Sequence, residues 1–181
     1  IIKVIDDVAP IFPDGCEVAD VCIEETSCGT TVSFNEPTVQ DCSIETNVTV
    51  ESDLGSGFGP FNDVAPGIYT VTYTAMDQCG NSNSCQSTFE VLDCKKPTPY
   101  CKNGIIVELM VIDTPMVEVW AEDLNDGSFD NCSDVILSFS ADTTNQSIIF
   151  TCDDVGQQNV EIWVTDEAGN QDFCATVVFV Q

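Results

Sequence analysis

The chain of 181 residues carries 31 acids against four lysines (Lys3, Lys95, Lys96 and Lys102), no Arg and no His, for a formal net charge of −27. Such a surface repels phosphate backbones and anionic headgroups, which are held by basic side chains; without imidazole or guanidinium there is no Ser-His-Asp or Cys-His centre and no planar clamp for carboxylate or phosphate. Nucleic acid, membrane surfaces and the commonest hydrolytic chemistries are thereby excluded, while solubility and attraction of divalent cations are favoured.

The elements follow in chain order as short runs separated by Gly, Asn, Asp and Pro. "IIKVIDDVAP" (1–10) is a β-branched run ending in acids and a Pro. "EVADVCIEE", "TTVSF" and "NVTVES" follow, then "IYTVTYTA" (68–75), where Tyr69, Val71, Tyr73 and Ala75 share one face and threonines the other. Beyond "VLDCKKP" come "IIVELMVI", "VEVWAE", "VILSFSA", "SIIFTC", and a run in which Val160, Ile162 and Val164 alternate with polar residues. Period-2 alternation of β-branched and aromatic residues predicts half-buried antiparallel strands, and no window has a helical stripe. The longest apolar runs fall far below the ~18 residues of a membrane helix, so no insertion is expected. Starting without Met or leader, the chain is read as a matured subunit or a piece of a longer protein.

Eleven cysteines without His or Cys-x-x-Cys pairs indicate a disulfide framework in an oxidising, extracellular compartment rather than zinc. The odd number leaves at least one thiol unpaired or paired between chains.

Two stretches match without a gap: "GIYTVTYTAMDQCGNSNSC" (67–85) and "GQQNVEIWVTDEAGNQDFC" (156–174). Gly67, Val71, Asp77, Gly80, Asn81 and Cys85 correspond to Gly156, Val160, Asp166, Gly169, Asn170 and Cys174, and "VQDC" (Cys42) to "FDNC" (Cys132) within one residue. The repeat predicts two modules of roughly 90 residues. About seven short strands in each is the density of an Ig-like sandwich. The expected architecture is all-β: a leading strand at 1–8, then tandem antiparallel Ig-like modules at 9–94 and 95–181.

At these residues the sequence resembles the hyalin-repeat (HYR-type) family, whose modules carry a "DNC" corner, a "V-x-Y-x-A-x-D-x-x-G-N-x-x-x-C" hairpin and a terminal "V-x-D-x-x-x-P". The second module also resembles Ig-like tandem repeats of large bacterial surface proteins. The resemblance implies an extracellular module used in adhesion or stalk building, with no enzymatic activity. The equivalent places of Cys42 and Cys132, and of Cys85 and Cys174, suggest bridges Cys42–Cys85 and Cys132–Cys174, with Cys101–Cys152 next; other pairings stay open.

"AEDLNDGSFDN" (121–131) gathers Asp123, Asn125, Asp126, Ser128 and Asp130, and the hairpin "DEAGNQD" adds Asp166, Asn170 and Asp172. Hard oxygen donors at this density suit Ca²⁺, although EF-hand spacing is absent. The alternative is plain turns, which favour the same residues. Asn47-Val-Thr and Asn145-Gln-Ser are sequons, and Thr143 in "DTT" is a candidate O-glycosylation site. "LGSGFGPF" lacks the Lys and the parallel strand of a phosphate loop and reads as a hairpin connection. Paired carboxylates are expected by chance among so many acids, and Trp120 and Trp163 read as packing rather than as a sugar platform.

Finally, "VID" (4–6) matches "VLD" (91–93), and Pro10 follows Asp6 as Pro97 follows Asp93. Residues 1–7 (Ile1, Ile2, Lys3, Val4, Ile5, Asp6, Asp7) thus read as the closing strand of another module, and an unpaired apolar strand demands a partner. The leading expectation is that it is donated to another copy, giving a head-to-tail homopolymeric, pilus-like fibre; the alternative is that it belongs to a preceding module of a stalk or adhesin. An extra edge strand of the first module is the third reading, and an enzyme or carbohydrate-binding module the most remote.

Overall fold

Strands of alternating Thr, Val, Tyr and Ile build two compact units, Ile1–Asp93 and Cys94–Gln181. The computed structural model describes residues 6–42, 45–110 and 115–181.

The first unit holds β1 (Val21–Ile23), β2 (Thr30–Val32), β3 (Thr46–Ser52), β4 (Gly55–Ser56), β5 (Phe61–Val64), β6 (Gly67–Asp77) and β7 (Ser82–Asp93). One sheet is ordered β1-β7-β6-β3-β4, and β2 pairs with β5 in the other. Along β6 the inward set Val71, Tyr73 and Ala75 is buried, as the alternation requires. Phe34 joins the sheets, meeting Phe89 of β7 edge-on and Phe61 of β5 tilted, each with ring centroids 5.6 Å apart. Burying side chains of this size stabilises the unit by roughly 1.5–3 kcal/mol each.

The second unit holds β8 (Ile105–Val107), β9 (Met116–Trp120), β10 (Ile136–Ser138), β11 (Ser147–Thr151), β12 (Gly156–Thr165) and β13 (Gln171–Val180). Its sheets are β10-β12-β13-β8 and β11-β9. Val119, Leu124, Phe150, Ile162, Val164 and Val178 lie in its core, Leu124 supplied by a 3₁₀ turn at Ala121–Leu124.

The two hairpins that carry the repeat are the longest antiparallel pairs. Tyr73 faces Cys85 in β6–β7, and Ile162 faces Cys174 in β12–β13. One feature departs from the all-antiparallel expectation. In each unit the first strand lies beside the last and runs parallel to it, Val21 next to Val91 and Ile105 next to Val178. The last strand is therefore paired on both sides, β7 between β1 and β6 and β13 between β8 and β12.

Candidate functional site

The parallel first strands determine the disulfides. Cys16 lies five residues before Val21 and Cys85 six before Val91, so segments running in the same direction bring both sulfurs to one level. Cys16 and Cys85 are bonded, with Cα atoms 6.0 Å apart. In the second unit Cys101 and Cys174 each lie four residues before the paired Ile105 and Val178, and they too are bonded at a Cα separation of 6.0 Å. Cys22, Cys28, Cys94 and Cys132 are also disulfide-bonded, while Cys42, Cys79 and Cys152 are exposed free thiols.

These bonds correct the expected pairings. Cys42–Cys85 fails because Cys85 faces Tyr73 well inside the β6–β7 ladder, whereas Cys42 precedes β3, whose first residue pairs with Asp77 at the ladder's end. Cys132–Cys174 fails for the equivalent reason: Cys132 precedes β10, whose first residue meets Thr165 at the end of β12, while Cys174 faces Ile162 further in. Cys101–Cys152 fails because Cys101 is taken by Cys174 and Cys152 opens the 3₁₀ turn (Cys152–Asp154) that follows β11 of the other sheet. Four bonded cysteines, Cys16, Cys22, Cys28 and Cys94, have no place in the expected pairings, and Cys16 is the one that takes Cys85. Its signal was its place shortly before a first strand, shared with Cys101.

The leading segment is described from Asp6 onward; Ile1, Ile2, Lys3, Val4 and Ile5 of the proposed assembly strand lie outside the described residues. Asp6 and Asp7 enter over the turn end of the first unit. Asn81 Nδ2 donates to the Asp6 carbonyl at 3.2 Å, and Asn83 Nδ2 to the Pro10 carbonyl at 3.0 Å. Cys42 Sγ donates to Asp6 Oδ2 at 2.9 Å. That bond, partial desolvation and the negative charges of Asp6 and Asp41 push the Cys42 thiol up to about 11.

The repeated turn is built identically in both units. Asp77 Oδ1 accepts from the backbone N–H of Cys79 and Asn81, and Oδ2 from Asn81 Nδ2 at 2.7 Å. Asp166 accepts from the Asn170 backbone at 2.7 Å and from its Nδ2 at 2.9 Å. Gly80 and Gly169 take φ of 91° and 89°, a left-handed conformation that selects glycine.

The oxygens expected to hold Ca²⁺ are largely engaged in turns. Asp123 Oδ2 accepts from Trp120 N, and Asn125 Oδ1 from Ser128 N. Ser128 Oγ both donates to and accepts from the Tyr100 backbone, and Asp126 N donates to the Tyr100 carbonyl. Asp172 Oδ1 accepts from Phe173 N. Among the described residues no cluster of three acid or thiol ligands joins the 121–131 loop to the hairpin of Asp166, Asn170 and Asp172. Asp130 stands apart: Oδ2 accepts from Cys132 N and Ser133 N, but Oδ1 is buried without a hydrogen bond. In the first module Asp41, beside Cys42, also has one buried oxygen without a hydrogen bond: Oδ1 accepts from Cys42 N, and Oδ2 is unpartnered.

Asn47 is exposed on β3, and Asn145 is exposed in the loop between β10 and β11, with Thr143 half-buried beside it. Trp163 stacks on Phe173 with centroids 5.0 Å apart, consistent with packing on the outer face. Trp120 is about half exposed at the end of β9.

Comparison with solved structures returns β-sandwich proteins. Immunoglobulin domains 1–4 of Sidekick-1 match at TM-score 0.54 and 10% identity, covering 96% of this chain and 49% of that one. Drosophila N-cadherin EC1-4 matches at 0.45 and 14%, covering 96% and 50%, and the titin I-band fragment I67-I69 at 0.45 and 15%, covering 97% and 66%. The chain thus spans about half the length of the first two. No match is found among curated proteins. Identities this low speak to fold alone, and the fold is Ig-like. The family model described as the HYR domain matches residues 13–91, a span that runs from just before Cys16 to Val91 at the β1–β7 pairing; over that span the chain is similar to the HYR family.

Proposed function

We propose that the chain is a pair of consecutive modules from an extracellular stalk or adhesive array, structural rather than catalytic, in which residues 1–7 close a module that precedes Pro10. The observation that carries this reading is the double pairing of β7 and β13. Each described module holds its own last strand between two neighbours, so neither keeps a vacant place for a donated closing strand. Residues 6–10 meanwhile dock on the turn end of the first unit through Asn81 and Asn83, as a linker from an upstream module does. Four disulfides support an oxidising extracellular setting.

Head-to-tail polymerisation, with residues 1–7 donated to another copy, rests on the same register of "VID" and "VLD" but needs an open groove to receive the strand. Electron microscopy of the concentrated full chain, beside a variant lacking residues 1–8, separates the two. The stalk reading expects single particles from both; filaments that form only with residues 1–8 present would establish the fibre instead.

In this reading Ca²⁺ is an accessory of the second module, held at Asp130, whose buried Oδ1 has no hydrogen bond. The exposed sequon Asn47 and the loop of Thr143 and Asn145 are the places for glycans. Intact mass of the secreted chain reports their occupancy.

A further inference from the structure

The described end of the first unit gathers two of the three free thiols around one carboxylate. Oxygens of Asp6 and Asp41 and the Cys42 sulfur lie within 4.8 Å of one another, and so do the ligand atoms of Asp6, Asp77 and Cys79. The backbone explains the convergence. The β3–β6 ladder ends at Thr46 and Asp77, and Gln78 Nε2 donates to Glu45 Oε2 one step further. Cys42 and Cys79 lie just past that end, on the two chains that leave it.

The repeat supplies a second, independent observation. In the second module Cys132, the counterpart of Cys42, is disulfide-bonded, and so is Cys94. In the first module the place of Cys94 is taken by Asp7, and an extra cysteine, Cys79, stands where the second module has Ala168. Relative to the second module, the first has no thiol at one position and an additional one at another, both at the end where Cys42 lies.

We propose that Cys42 and Cys79 are a redox pair that closes a further disulfide, tying the entry to β3 onto the β6–β7 turn. The oxidant is a low-molecular-weight disulfide of the glutathione class. The Cys79 thiolate attacks one of its sulfurs, expelling one thiolate and forming a mixed disulfide. Cys42 Sγ, giving up the proton it shares with Asp6, then attacks the Cys79 sulfur and expels the second thiolate. Two protein thiols are oxidised, one external disulfide is reduced to two thiols, and the two protons pass to those products. Asp6 assigns the order, because its carboxylate holds the Cys42 proton and delays that sulfur's turn as nucleophile. Cys152, exposed in the second unit, lies outside this cluster and remains a thiol.

The test is non-reducing peptide mapping of the full chain after equilibration in a reduced/oxidised glutathione buffer and alkylation. Alkylatable thiols should fall from three (Cys42, Cys79, Cys152) to Cys152 alone, with a Cys42–Cys79 cross-linked peptide recovered. In C79A, Cys42 should become alkylatable while the Cys16–Cys85 peptide persists, which shows that the variant is folded. Both thiols remaining alkylatable, each capped by glutathione, or either joined to Cys152 or to a second copy would overturn the proposal. Protection from alkylation that disappears on adding a chelator would overturn it in favour of a bound thiophilic cation.

Discussion

Cys16 is bonded to Cys85 because the chains that carry them run in the same direction, with Val21 of β1 beside Val91 of β7 a few residues downstream. The bridge closes a sequence separation of 69 residues, so it restricts the unfolded chain strongly. Replacing Cys85 with Ala is expected to destabilise the first module by roughly 2–5 kcal/mol, read as a lower denaturant midpoint under non-reducing conditions. Cys42→Ala should leave the Cys16–Cys85 bridge in place.

The repeated turn makes a sharper test of local geometry. A methyl group at Gly169 meets nothing within 4 Å, so the cost of Gly169→Ala is conformational alone. With φ at 89°, that cost is about 1–2 kcal/mol. Urea titration should show it, and an unchanged midpoint would mean that the turn relaxes.

Asp77 links this turn to pH. Burial raises its carboxyl, but the hydrogen bonds from Asn81, Cys79 and Gly80 outweigh that and hold it below the ordinary Asp value. Between the depressed folded value and the unfolded value near 3.9, the unfolded chain binds the extra proton, so stability rises with pH there. The contribution is complete above the unfolded value and is lost as pH falls through the folded one. Asp77→Asn should lower stability at neutral pH and flatten that part of the acid limb, measured by melting temperature against pH.

A cation at Asp130 predicts that Ca²⁺ raises the melting temperature of the second module, that a chelator reverses the shift, and that Asp130→Asn abolishes it. Melting indifferent to Ca²⁺ and chelator removes calcium from the account.

Local signals carried the hairpins and the turns. Tyr73 and Ile162 sit inward because alternation with threonines or acids leaves one face apolar, and Asp77 with Gly80 and Asn81 identifies its turn by residue type alone. The bridges were not readable in the same way. The partner of Cys85 depends on a parallel pairing between β1 and β7, far apart in the chain, whereas the repeat shows only that Cys85 and Cys174 are equivalent. Asp123, Asn125 and Ser128 were ambiguous for a chemical reason: the oxygens that suit Ca²⁺ are also those that accept backbone N–H groups in turns, and here they do the latter.

Single-molecule stretching of the oxidised and reduced chain tests most directly that it is two self-complete, load-bearing modules. The account predicts two separate unfolding events. Reduction should lengthen the released contour by up to about 240 Å for the first module and about 260 Å for the second, at roughly 3.5 Å per residue, because the Cys16–Cys85 and Cys101–Cys174 bridges withhold separations of 69 and 73 residues from extension. One merged event, or the same contour length with and without reductant, would contradict it.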